Sequence, residues 1–163
     1  MSIPGDNKTL TIIGLCFLTG TLDAIAALLI SYKISPVIIF QYIASGWFGQ
    51  AAFKGGITMI IWGILFHYLI ASVYSIIFFN LYPAFIKVLK NKYLAGLLFG
   101  LLIWLIMNFA VLPLTNIPKR PAHPNLLSMT EGIAALIICL GIPIALTAEK
   151  YYRKQFLKKT LDV

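Results

Sequence analysis

Four stretches of this chain, residues 10–32, 57–81, 93–111 and 127–148, contain no Lys or Arg, and Asp23 and Glu131 are their only acidic residues. About 20 apolar residues at 1.5 Å each cross the roughly 30 Å hydrocarbon core of a bilayer, so each stretch is long enough to span. Backbone N–H and C=O groups in hydrocarbon must be satisfied within the segment, which makes each span a helix. The sequence therefore predicts an all-α, polytopic membrane protein: a four-helix transmembrane bundle forming one domain over residues 1–163.

Composition agrees. The chain is 60% hydrophobic and only 11% charged, with a mean hydropathy of +0.91, whereas soluble domains carry about 25% charged residues. The net charge of +8 could suggest a nucleic-acid partner, but the positions of the basic residues argue against one. Lys87, Lys90 and Lys92 lie between two apolar runs, and Lys150, Arg153, Lys154, Lys158 and Lys159 lie in the tail, 149–163. This pattern is a topology signal, because short loops rich in Lys and Arg stay in the cytoplasm. With four spans, both termini and the Lys87–Lys92 connector fall on the cytoplasmic side. The expected location is a bacterial inner membrane, with the lipid bilayer as partner and anionic lipids at the basic tail. Lys8 is opposed by Asp6 and a carboxylate interrupts the first apolar run, so that run is expected to be an uncleaved span rather than a signal peptide.

Residues 36–53 are apolar but punctuated. Pro36 can open a helix, Gly46 and Gly49 weaken one, and Gln41 and Gln50 interrupt its hydrophobicity. With Tyr42 and Trp47 as anchors, the segment is expected to be an extra interfacial or re-entrant helix between spans one and two, on the outward face. A fifth span is the alternative, and it would move the N-terminus outside. Tyr82-Pro83 is expected to close the second span and residues 84–92 to form a basic connector. The four prolines between 113 and 124 predict a stiff, partly extended loop.

Three polar residues fall deep inside spans. At 1.5 Å per residue, Asp23 and Asn108 come out roughly 20 Å from the cytoplasmic edge, and His67 roughly 13 to 14 Å from it. Each shares a helix face with small residues: Gly20 and Ala27 beside Asp23; Gly63, Ala71 and Ser75 beside His67; Gly96 and Gly100 in register with Asn108. Small residues mark the faces on which membrane helices approach one another, so all three side chains are expected to point into the bundle as one polar cluster. Two readings follow. Asp23 could accept hydrogen bonds from Thr19, His67 or Asn108 and fix the helix register. Alternatively, Asp23 and His67 could form a proton or ion relay or a polar pocket, since intramembrane ionisable groups often mark pathways. Gln41, Gln50, Lys54 and Glu131 are placed at the outer edge, where snorkelling and headgroup contact explain Lys54 and Glu131.

No phosphate loop, HExxH, CxxC or GxSxG motif occurs, so catalysis, cofactors and metals have no positive signal. Cys16 and Cys139 each sit within an apolar run and read as small packing residues. The expected function is non-enzymatic: a bundle packing against itself as a homo-oligomer or against a larger membrane complex. A proton-linked small-solute carrier or channel is the alternative, and a lipid-modifying enzyme is the least supported.

The motifs Gly-Thr-Leu-Asp-Ala at 20–24, Gln-Tyr-Ile-Ala-Ser-Gly at 41–46, Ala-Phe-Lys-Gly-Gly at 52–56, His67, Met107-Asn108 with Val-Leu-Pro-Leu at 111–114, and Gly-Ile-Pro-Ile-Ala at 141–145 span most of the chain. In this order they resemble a group of small, uncharacterised bacterial inner-membrane proteins and, more distantly, the YagU-like membrane proteins. The resemblance implies the four-span architecture and brings no activity with it. It also raises a second histidine near the position of Leu136; with leucine here, a two-histidine mechanism loses support.

Overall fold

The computed structural model describes residues 7–118 and 126–161. The remainder of the proline-rich loop, including Lys119, Arg120 and His123, lies outside the described residues. Asn7 opens the first helix, α1 (Lys8–Ile30), by accepting from the backbone N–H groups of Thr9 and Leu10 at 2.9 and 3.4 Å. Such a cap satisfies donors that the first turn leaves unpaired. α2 (Pro36–Phe48) starts on its proline and ends at Gly49, whose φ of 59° is a left-handed conformation that side chains disfavour. A 3₁₀ turn, Gly49–Lys54, then leads to Gly56, also at positive φ, where α3 (Gly56–Leu89) begins. α2 has 13 residues, about 20 Å of helix and so too short to cross the core. Among the described residues, four helices are long and apolar enough to cross a membrane: α1, α3, α4 (Lys92–Leu114) and α5 (Leu126–Leu161). These four apolar helices suggest a membrane protein.

One expectation needs correction. α3 does not stop at Tyr82-Pro83 but continues through the proline to Leu89, so most of the expected connector is helix. A proline inside a helix costs about 3 kcal/mol. Aromatic packing on either side of Pro83 offsets this: Phe79 meets the rings of Tyr151 and Tyr152, while Tyr82 and Phe85 meet Phe99. The last helix also runs on into the basic tail, as α5 is helical to Leu161.

α4 and α5 share a feature that composition does not reveal. Each contains a π-turn, Met107–Val111 and Ile137–Gly141, that ends two residues before a proline, Pro113 and Pro143. In each, the N–H following the turn bonds five residues back, Leu112 to Met107 and Ile142 to Ile137. A proline ring crowds the carbonyl four residues before it and supplies no N–H, and the wider turn takes up that misfit.

The four long helices pack with α1 against α3, α3 against α4, α4 against α5 and α5 against α1, and α3 also meets α5 directly across the bundle. Glycines set the closest approaches. A Cβ on Gly96 would lie 2.9 Å from the Cα of Ile142, and Gly141 faces the backbones of Gly96 and Gly100. Similarly, α2 crosses α3 with the Phe40 carbonyl directly against Gly63. One half of the bundle is solid, with Tyr74, Phe78, Phe79, Tyr82, Phe99, Ile103, Leu140 and Ile144 interlocked. The other half, towards α2, is hollowed. Phe17, Leu29, Ile57 and Phe109 stand outward, exposed as side chains facing hydrocarbon would be.

Candidate functional site

The seam between α1 and α3 carries most of the buried polarity. Thr19 and Ser75 share a 2.8 Å hydrogen bond, and both are fully buried. The Cys16 thiol reaches the Ser72 carbonyl at 3.9 Å. Thr21 and Tyr68 pair through their hydroxyls at 2.9 Å, with the Tyr68 ring lying on Gly20, where any Cβ would come within 2.7 Å of it. His67, 8% exposed, places Nε2 at 2.9 Å from the Gly20 carbonyl. A carbonyl can only accept, so Nε2 carries the proton and donates it there. Glycine at position 20 leaves the room that the Tyr68 ring occupies against α1.

This arrangement changes the expected Asp23–His67 pair. The Asp23 carboxylate lies 3.9 Å from Nε2, close enough for charge attraction but beyond hydrogen-bonding distance. The imidazole N–H goes to the helix backbone instead. Asp23 accepts no hydrogen bond among the described residues, and its side chain keeps 22% of its surface. It lines a pocket of about 220 Å³ with Ala27, Ile43, His67, Ala71, Tyr74, Met107 and Leu136. Tyr74, only 7% exposed, also makes no hydrogen bond among the described residues. Leu136, the position at which a second histidine was raised, is part of the apolar wall.

Asn108 does not join this cluster. Its amide donates to the carbonyl of Trp104, one turn back on its own helix, at 2.9 Å. On α4 it is Ile103 and Met107 that line the pocket, and Asn108, one position further round the helix, lies in line with Trp104 instead. Gln41, expected at the outer edge, is buried at 6% exposure on the α2 face that also buries Ala44 and Ser45. Gln50, Lys54 and Glu131 are exposed. The sequence reading missed Tyr74, although it lies seven residues from His67 and therefore on the same helix face.

A second, larger cavity adjoins the first. About 400 Å³ opens between α2, α3 and the end of α4, with Tyr42, Trp47, Phe66, Leu69, Val111 and Thr115 among its walls. Ile43, Ile70 and Met107 line both spaces. α2 is held over it by Asn116, whose backbone N–H donates to Gly46 O at 2.9 Å and whose side-chain amide donates to Trp47 O at 3.0 Å. Among the described residues no three His, Cys, Asp or Glu side chains gather as a metal site would require. Comparison with protein-family models, with curated proteins and with solved structures finds no match to this chain.

Proposed function

We propose that this chain is a non-enzymatic, multi-pass protein of a bacterial inner membrane, an accessory bundle that packs against itself or a larger membrane complex. The observation that carries this reading is the commitment of the α1–α3 polar groups to each other: His67 to the Gly20 carbonyl and Thr19 to Ser75. Side chains spent on holding one helix to its neighbour act as structural ties, and in membranes such bonds contribute about 0.6 kcal/mol each on average. Both termini belong to the cytoplasmic side in this reading. Support comes from Lys90 and Lys92 lining one hollow with Glu149, next to the basic tail, so that the basic residues gather at one end of the bundle. α2 then lies at the outer interface, and the tail meets anionic lipid.

The test is a pair of substitutions. His67→Gln, whose amide can still donate to Gly20 O, should preserve folded yield, while His67→Leu should lower it. Equal behaviour of the two would defeat the structural reading. A reporter fused before residue 1 should report a cytoplasmic N-terminus; an external one would favour five spans.

A proton-linked carrier is the second reading, favoured by the Asp23 carboxylate, which lines the pocket and accepts no hydrogen bond among the described residues. Asp23→Asn that leaves the fold intact and abolishes a proton-coupled flux would establish it over the first.

A further inference from the structure

The Asp23 pocket does not resemble the seam beside it. Along the seam Thr19 pairs with Ser75, Thr21 with Tyr68 and His67 with the Gly20 carbonyl, whereas two residues that line the pocket, Asp23 and Tyr74, make no side-chain hydrogen bond among the described residues. A carboxylate within a membrane span costs at least about 2.5 to 3.5 kcal/mol on insertion scales, and here the nearest group able to carry positive charge, His67 Nε2, stands 3.9 Å away with its N–H given to the Gly20 carbonyl. The remaining wall, including Ala27, Ile43, Ala71, Met107 and Leu136, is apolar. Among the described residues no Lys or Arg lines this pocket or the adjoining cavity.

Shape adds to charge. The pocket and the larger apolar cavity meet at Ile43, Ile70 and Met107. The first of these comes from the short helix α2, and Met107 begins a π-turn, a distortion often found at functional sites. The second π-turn, in α5, contributes Leu140 to the pocket and follows directly on Leu136. Methionine and isoleucine at the junction can change rotamer to admit a ligand body, methionine most readily.

We propose that the pocket formed by Asp23, His67 and Tyr74, with the adjoining apolar cavity, binds a small organic cation of the alkyl- or arylammonium class. The ammonium sits against the Asp23 carboxylate, with the Tyr74 hydroxyl as a second polar contact, and the apolar body lies towards Ile43, Ile70 and Met107. A pocket of about 220 Å³ suits a compact ligand, and the cavity beyond it accommodates a longer tail. A carboxylate among apolar walls selects charge and apolar surface together, so a neutral molecule of the same shape leaves it unpaired. This inference goes beyond the accessory-bundle reading and requires no proton coupling.

The test uses the full chain in lipid nanodiscs, with radiolabelled phenethylammonium as probe and phenethyl alcohol as neutral competitor. Saturable binding that the alcohol does not displace is expected. Asp23→Asn should weaken it by at least about tenfold, since one member of a desolvated charge pair is removed. Leu136→Trp fills the pocket without touching the carboxylate and should abolish binding, which keeps the test decisive if the Asp23 variant does not fold. Three results would overturn the proposal: no saturable binding, displacement by the alcohol as effective as by unlabelled amine, or wild-type affinity in a folded Asp23→Asn or Leu136→Trp variant.

Discussion

Replacing Gly63 with alanine sets two effects against each other at a site where the structure decides between them. Inside a helix, alanine is favoured over glycine by at most about 1 kcal/mol, so on propensity alone the variant gains stability. At Gly63 the new Cβ would lie 2.6 Å from the Phe40 carbonyl carbon and 3.0 Å from its Cα, with the carbonyl oxygen closer still. Those atoms are backbone, so no rotamer change relieves the overlap, and α2 must lift by about 1 Å to restore ordinary contact. Overpacking of this kind typically costs about 1 to 3 kcal/mol, which outweighs the propensity gain and leaves a net loss of up to about 2 kcal/mol. Gly14→Ala is the control, because nothing lies within 4 Å of its Cβ position. Denaturation in detergent micelles should therefore show Gly63→Ala less stable than wild type and Gly14→Ala equal or slightly more stable. Amide exchange should accelerate over residues 36–48 in the first variant alone. A Gly63→Ala protein as stable as wild type, with α2 exchange unchanged, would refute the close crossing of α2 and α3.

Other substitutions test the seam and the far end of the bundle. A double-mutant cycle on Thr19→Val and Ser75→Ala should give a coupling of about 0.6 kcal/mol, and no more than about 1.7, in a denaturation titration. Gly141→Ala should be far more damaging to folded yield than Gly132→Ala. The first meets the Gly96 and Gly100 backbones, whereas the second meets only the Trp104 side chain, its nearest atom at 3.4 Å. Tyr82→Phe removes a 2.8 Å bond to the Glu149 carboxylate and should lower stability by about 1.5 kcal/mol, the low end for a charged acceptor. His67→Leu should cost about 0.6 to 1.7 kcal/mol relative to His67→Gln in the same titration, the range for interhelical bonds in a membrane.

Much of the fold was legible because crossing a bilayer would impose a length and a polarity on each apolar helix. The apolar runs, Pro36 as a helix start and the small-residue faces at Gly20, Gly63, Gly96 and Gly100 could all be read in order. The faces predicted close contact, and the structure puts backbone or ring atoms against each of those glycines. Legibility failed where a local rule was overridden by distant packing. Pro83 looked like a stop, but the rings of Tyr151, Tyr152 and Phe99 hold the helix through it. Asn108 looked like a pocket residue on a strict four-residue spacing, but the pocket takes the neighbouring face of α4, with Ile103 and Met107, and Asn108 bonds back to its own helix.

The sequence by itself marked out four apolar runs long enough to span a membrane and a punctuated segment between the first two, and it put Asp23 and His67 on helix faces of small residues. Hydrophobic length and helical periodicity are local properties, and the residues of one segment suffice to state them. Which polar atoms meet was decided only by tertiary structure. His67 had Asp23 and the α1 backbone within reach, and the close approach at Gly20 gave its N–H to the backbone carbonyl. Asp23 was thereby left facing a pocket whose walls come from all four spans and α2. The physical reason is range: hydrogen bonds select partners within about 3 Å, a tolerance set by helix crossings and π-turns rather than by spacing along any one helix.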